Sequence, residues 1–362
     1  MKLLKDLDVA DKRVFLRADL DVPIEPETIH NKLETETATR LGNLKGTVDY
    51  LVRECAKQIV IAGHVDRPTP RLRNGKPVID PSKSTKLLLP VLQNILKREI
   101  SFIPDVFASE TKQSDGEIIS SKTPRNDNVV VLLENLRFWE GETKNDPEFA
   151  KKLAGFADVY VNEAFGNSHR EHASMVALPL LLPHCAGLHL EEEVRVMTKL
   201  LETPARPFVS IVGGAKIETK LPLINNLSKI SHNVLVGGEL PLEIAKKGQK
   251  FGENVLVATL TQDNKDISLE SAQKFTRLIS AARTVVWNGP MGLFEEGQET
   301  GSRAVALAIL ESKAYSVVGG GETTQFLEKG GFLSQFSFVS AGGGAMLEFL
   351  SGKKLPGIAA LE

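Results

Sequence analysis

The sequence predicts an α/β protein made of two doubly wound parallel-sheet domains. Three observations carry that prediction. Short apolar runs rich in β-branched residues recur along the chain and alternate with stretches of helical spacing. In the second half, five such runs each lead into a glycine-rich turn: Gly213-Gly214, Val236–Glu239, Trp287–Gly292, Val318–Thr323 and Ala341–Ala345. The length of 362 residues favours two cores over one.

In chain order, Arg13–Leu16 reads as a first strand, running into Arg17-Ala-Asp19-Leu-Asp21-Val-Pro23. Arg40–Cys55 places Leu41, Leu44, Val48 and Leu51 at helical spacing, with Arg40 in the first turn. Gln58–Ala62 is a strand leading into Gly63-His64-Val-Asp66-Arg67-Pro68. Residues 69–82, rich in Pro, Arg and Lys, read as a surface loop, Leu87–Leu96 as a helix, and 111–127 as a polar loop. Asn128–Leu133 is a buried strand before Glu134-Asn135-Leu-Arg137, and Asp158–Val161 another before a run holding His169, Arg170 and His172.

Arg17, His64, Arg67, Arg137, His169 and Arg170 thus all stand just after apolar strands. In a parallel sheet those positions share one edge, where ligands bind, and Arg40 can join them from its helix start. A single arginine in such a place is commonly a solvated loop residue; several at equivalent positions suggest a pocket. Guanidinium forks match carboxylate and phosphate oxygens two at a time, so the pocket suits a small polyanion.

Leu190–Leu201 aligns Leu190, Val194, Met197 and Leu201 on one face and stops near Pro204. It is expected to connect the two halves, over residues 190–203, between a domain spanning 1–186 and one spanning 187–345, although the pattern alone fits a plain surface helix equally well. Phe208–Val212 then reads as a buried strand, Gly213-Gly214 as a tight turn and Ala215 onward as a helix start. Glycines there let backbone approach a ligand, and a helix N-terminus favours an anion. Lys216 and Lys220, four apart, would share a helix face beside it. Ser268–Ala281 is a helix candidate before the strand Thr284–Trp287. Neither G-x-x-x-x-G-K-[ST] nor G-x-G-x-x-G occurs, so phosphates would be held by several separate turns.

A net charge of −2 gives no global basic field for nucleic acid, so any anion site must be a local cluster. Cys55 and Cys185 lie too far apart in sequence for a metal or redox motif. The charged start, MKLLKDLDVADKR, lacks a signal-peptide core, and prolines and histidines break the apolar stretch Ala177–Leu190. A soluble, reduced, cytoplasmic protein without membrane or nucleic-acid partners is expected.

One half offers a cationic pocket, the other glycine turns with two lysines. That pairing suits phosphoryl transfer between a nucleotide and a small anionic acceptor, which needs mainly positioning and charge neutralisation. Glu322, after the GGG turn, is the candidate carboxylate for a nucleotide-bound magnesium ion, or else a favourable helix N-terminal charge. Glu295 could accept hydrogen bonds from ribose hydroxyls.

The stretches RADLDVP, GHVDRP, LLENLRF, VNEAFGNSHREHAS, RPFVSIVGGAKIETK, VVWNGPMGLFE, VVGGGET and SAGGGAMLEFLSGKKLPG resemble the motifs of the phosphoglycerate kinase family, nearly end to end and in the family's order. The resemblance implies two Rossmann-like domains, an interdomain helix, a closing hinge and a C-terminal segment, residues 346–362, that returns to the first domain. It implies reversible transfer between 1,3-bisphosphoglycerate with ADP and 3-phosphoglycerate with ATP, by a monomer using Mg2+. Asp19, Asp21, Arg40, His64, Arg67, Arg137 and Arg170 would line the glycerate site. Gly214, Lys216, Lys220, Gly238, Asn288, Pro290, Glu295, Gly320, Gly321, Glu322 and Thr323 would surround the nucleotide. Arg40 and Lys216 would be catalytic, and Glu322 would hold the metal through the nucleotide.

The chain departs from the family pattern in places. Asp21 stands for an asparagine and Asp66 for a glycine, so two extra carboxylates enter loops that should hold an anion. Such charges repel unless paired or protonated. Glu163 and Glu322 replace aspartates, Ala341 a threonine and Glu239 a glycine, and the segment between Gly248 and Asp266 is short for the family. The competing reading is a divergent relative that binds nucleotide with little or no kinase activity; a dehydrogenase lacks its fingerprint.

Overall fold

The computed structural model describes residues 1–23, 40–73, 76–106 and 129–362. The loop expected at 111–127 lies outside them. Two compact units divide the chain: Met1–Val194 with Leu355–Glu362, and Arg195–Lys354.

The first unit is built on a six-stranded parallel sheet. Its strands are β1 (Arg13–Arg17), β2 (Gln58–Ala62), β3 (Ile100–Ile103), β4 (Val129–Leu133), β5 (Val159–Asn162) and β6 (His184–Ala186). Their order across the sheet is β3-β4-β2-β1-β5-β6. The inner strands are apolar on both faces because helices cover both, so they read as continuous runs rather than alternations. Val14, Leu16, Ile59, Ile61 and Leu132 pack beneath Val48, Leu51 and Leu92 from the helices Leu44–Arg53 and Leu89–Leu96. Each such side chain contributes roughly 1.5–3 kcal/mol by leaving water. The edge strands β3 and β6 were not foreseen: β3 is only partly buried, and β6 is three residues inside a proline-broken stretch. The loop at 69–82 contains a small antiparallel pair, Leu72–Arg73 with Lys76–Pro77.

The second unit repeats the plan with β7 (Phe208–Val212), β8 (Asn233–Val236), β9 (Val255–Val257), β10 (Thr284–Asn288), β11 (Tyr315–Gly319) and β12 (Phe338–Ser340). The order β9-β8-β7-β10-β11-β12 reverses direction between β7 and β10, as in dinucleotide-binding folds. Trp287 lies at the core, with Phe326 and Phe336 against it. The segment after Gly248 supplies only the short edge strand β9 and one bridge, Leu260 to Ile267, before Ser268 caps the helix Leu269–Ser280.

The helix Leu188–Glu202 contains the boundary between the units. Within the first unit its start is held by Glu163, whose carboxylate accepts from Thr47 Oγ1 at 2.6 Å and from the backbone N–H of His189 at 3.1 Å. Only glycine fits at 187, because a Cβ there would meet Glu163 Oε2 at 1.9 Å. The last residues pack on this same unit: Gly357 N–H donates to Ser168 O, and its carbonyl accepts from Asn162 Nδ2. No helix among the described residues is long and apolar enough to cross a membrane.

Candidate active site

In the first unit, the turns after β1, β2, β4 and β5 gather at one sheet edge, as parallel topology requires. Arg40 donates from Nη1 to the backbone carbonyl of Asp21 at 2.6 Å, so the helix start and the turn after β1 meet. Asp21 Oδ1 accepts the backbone N–H of Asp66 at 2.8 Å, and Oδ2 faces His64 Nε2 at 3.5 Å. Burial works against an ionised Asp21, but the His64 contact, the Asp66 N–H and the Arg40 charge together hold it at about 2. Asp19 is buried; its Oδ1 accepts from Asn167 Nδ2 at 2.8 Å, while Oδ2 is an enclosed oxygen without a partner.

Arg137 sits in the turn Leu136–Phe138 after β4, where Asn135 caps the turn by accepting Arg137 N–H. Its guanidinium reaches Asp66 O at 3.3 Å and His172 Nε2 at 3.4 Å. Burial lowers Arg137 to about 10, and the charges of Arg170 and Arg67 push the same way. Burial and Arg67 likewise lower Arg170. Arg67, Arg137 and Arg170 therefore crowd one another, and the enclosed Nε atoms of Arg137 and of the half-buried Arg170 lack a partner within the protein. Three cations at close quarters lose energy by mutual repulsion, which an anion would relieve.

The two extra carboxylates are both paired. Asp66 has φ +55, a left-handed conformation that aspartate tolerates better than most residues. Its carboxylate turns to Lys83 Nζ at 2.8 Å, on the outer side of the loop. Lys83 was not picked out in the sequence; it lies just past the stretch 69–82 that read as a loop.

Arg17 departs from its expected place. It is fully buried and donates to Ser174 Oγ, to Ala18 O and to His64 Nδ1. Ser174 Oγ in turn donates to the buried carboxylate of Glu142 at 2.6 Å. His172 also faces Glu142, and burial with the charge of Arg17 pulls that histidine down to about 2. Glu142, Ser174 and His172 thus support the site from below, a role that no local spacing announces.

In the second unit, the glycine turns lock together in strand order along the sheet edge. A Cβ on Gly238 would meet Gly214 N at 2.6 Å, one on Gly213 would meet Pro290 O at 2.1 Å, and one on Gly343 would meet Gly320 Cα at 2.7 Å. Gly214 N–H donates to Pro290 O, Gly238 N–H to Met291 O, and Gly289 N–H to Thr323 Oγ1 at 2.7 Å. Side chains are excluded because backbone packs directly on backbone. The helices Ile217–Ile230, Gly321–Lys329 and Gly343–Leu350 start from these turns and present N-terminal amides there.

Lys220 is buried in the first turn of the helix Ile217–Ile230 and donates to Asn288 Oδ1. Burial lowers it to about 8, with the Glu322 charge pulling the other way. Lys216 is exposed and precedes the helix with extended backbone, φ −89 and ψ 94. The two lysines therefore do not share a helix face: the helix starts at Ile217, later than Ala215, because the turn needs the extra residues. Glu322 Oε2 would stand 3.7 Å from a Cβ on Gly214, and Gly321 and Glu322 are exposed at the start of their helix. Glu295 is exposed in the turn Phe294–Glu296 and takes no part in the contacts that interlock the glycine turns.

Comparison with known proteins agrees with this architecture. The model of the family described as phosphoglycerate kinase matches residues 4–265 and 243–353. Among similar proteins, phosphoglycerate kinase from Desulfosudis oleivorans is 34% identical over 416 aligned positions, covering 100% of this chain and 99% of the relative. That from Thermosipho africanus is 35% identical, covering 99% and 97%. Solved phosphoglycerate kinases from Coxiella burnetii (29% identity, TM-score 0.79, covering 100% of this chain and 99% of the other) and Pyrococcus horikoshii OT3 (27%, 0.80, 100% and 98%) share the fold. The 416 aligned positions exceed the 362 residues here, so the relative carries stretches that this chain lacks. The two family-model matches overlap over 243–265, where the sequence reads as short. By the match along nearly all its length, this chain belongs to the phosphoglycerate kinase family.

Proposed function

We propose that the chain transfers a phosphoryl group reversibly between 1,3-bisphosphoglycerate with ADP and 3-phosphoglycerate with ATP. The first unit would take the glycerate and the second the nucleotide. The observation that carries this reading is the crowding of Arg67, Arg137 and Arg170 beside Asp21, His64 and Arg40, a cationic pocket on the first unit. Its guanidiniums suit the carboxylate and phosphate of the acceptor. Asp19, with one enclosed oxygen unpartnered, would accept from the acceptor's hydroxyl.

On the second unit, Gly214 and Gly321 would leave room for phosphates, Gly238 and Gly320 would let the turns pack closely around them, and the buried Lys220 would be a charge beside them. Asn288, Pro290 and Thr323 hold those turns in register, and Glu295 would reach the ribose. Lys216, exposed at the helix start, would follow the group in flight, and Arg40 would neutralise it from the acceptor side. Little covalent chemistry is asked of the protein, since neutralising equatorial oxygens and aligning donor with acceptor supply the rate.

Among the described residues no three metal-ligating side chains cluster, so a cage made of protein alone does not fit. A magnesium ion carried by nucleotide phosphates needs only one or two protein carboxylates, and Glu322 at the glycine edge provides one. When bound, that ion neutralises phosphate charge. We read the enzyme as a cytoplasmic monomer, in keeping with its family.

The reading that activity has been lost drew on two extra carboxylates and a shortened segment; both carboxylates are held here, Asp66 by Lys83 and Asp21 by the backbone N–H of Asp66. A coupled assay of ATP-dependent phosphorylation of 3-phosphoglycerate is the test. Nucleotide binding without turnover would overturn the proposal.

A further inference from the structure

His64 is 0% exposed, and its two ring nitrogens have different surroundings. Nδ1 lies 3.2 Å from Arg17 Nη2. Nε2 is enclosed, makes no hydrogen bond within the protein, and points to the Asp21 side at 3.5 Å. A guanidinium has only donors, so Nδ1 must accept, and the ring carries its single proton on Nε2.

Arg17 is itself held from three sides, by Ser174 Oγ at 2.8 Å, by Ala18 O and by the ring. The Glu142–Ser174 bond fixes the far end of that chain. The other charged or titratable groups facing His64 are Asp21 from the segment after β1, Arg137 from the turn after β4, and His172 from the segment after β5. Only Asp21 favours an imidazolium. A second proton would have to sit on Nδ1, against the N–H of Arg17.

We infer that Arg17 is a positioning residue: it fixes His64 as a neutral imidazole whose Nε2–H is kept for an oxygen of the bound acid. This deepens the proposed 3-phosphoglycerate site and rests on it for the identity of the acid. Burial and the Arg17 charge hold His64 near 4, so the donor stays the same across the neutral range. Without Arg17, Asp21 becomes the nearest charge and the ring's midpoint rises, although burial still holds it down.

The test begins with the unaltered protein, labelled with 15N-histidine, with His64 assigned by its loss in His64→Gln. The expected spectrum at neutral pH has a proton on Nε2 and none on Nδ1, and the ring's midpoint lies near 4 instead of the ordinary 6.5. A proton on Nδ1, or a midpoint near 6.5, would overturn the inference. In Arg17→Gln the midpoint is expected to rise above about 4, since Asp21 then outweighs the remaining charges while burial persists, and the KM for 3-phosphoglycerate to depend on pH over the interval through which the ring now titrates. A flat profile with an unmoved His64 in that variant would also overturn it. His64→Gln, which keeps an amide N–H near the Nε2 position, is expected to bind the acceptor better than His64→Asn; the reverse order counts against it. If 3-phosphoglycerate is not turned over, the functional reading fails, while the 15N spectrum still decides the state of His64.

Discussion

Gly213 lies so close to the carbonyl oxygen of Pro290 that a Cβ on it would come within 2.1 Å of that oxygen. The strands that precede these two residues, β7 and β10, are those between which the strand order reverses. Backbone contact at this point keeps the edge of glycine turns continuous. Gly213→Ala is expected to part the two turns, lowering stability by about 1–3 kcal/mol. ADP affinity should fall by about tenfold or more, a loss near 1.4 kcal/mol. Thermal unfolding and ADP titration check it, and ADP affinity equal to wild type would refute the packing argument.

Lys220 is lowered from 10.5 to about 8 chiefly by burial. Between those values the folded chain binds fewer protons than the unfolded one, so this group's contribution to stability rises with pH there. Below 8 the cost of burying the ammonium is present in full. Lys220→Met should therefore be more stable than wild type at neutral pH, with the gap closing between about 8 and 10.5. Phosphoryl transfer should fall by about 10²–10³-fold, the usual loss of a charge-stabilising donor. Denaturant curves at several pH values, with a gap that stays constant, would contradict the burial account.

Asp66 combines a left-handed backbone with an exposed ion pair to Lys83. The pair itself contributes little, because water screens it. Asp66→Gly should therefore be nearly neutral for stability, whereas Asp66→Ala should cost about 1–2 kcal/mol through strain. Lys83→Ala frees the carboxylate beside Arg67, so KM for 3-phosphoglycerate should rise while kcat changes little. Equal stability of the glycine and alanine variants would remove the strain argument; an unchanged KM in Lys83→Ala would remove the electrostatic one.

Glu322 is exposed at the start of its helix, near Gly214. Glu322→Ala is expected to leave the fold intact by circular dichroism and to remove magnesium-dependent turnover. An unaltered kcat at saturating magnesium would show that the carboxylate does not serve the metal.

Much of this was legible in the sequence because the inner strands of a covered parallel sheet are apolar on both faces. Gln58–Ala62 and Phe208–Val212 were bounded correctly from their runs of Ile and Val. Glycine turns were equally plain, since only glycine fits where turn packs on turn. Edge strands carried no such mark: β3 is half exposed, and the three residues of β6 follow a proline. Arg17 and Arg137 look alike as arginines at strand ends, yet one is sealed beneath the site and the other lines it.

The order of motifs, the two-domain plan and the residues available for phosphate chemistry were set by local pattern, because periodicity and turn chemistry act over a few neighbours. Tertiary structure decided which of those residues face a ligand and which brace the ones that do. It turned Asp66 to Lys83, placed Arg17 against His64 Nδ1, and brought Glu142 under Ser174. Each of these contacts joins groups far apart in the chain, and burial, which sets their charge states, exists only once the sheets have closed over their cores.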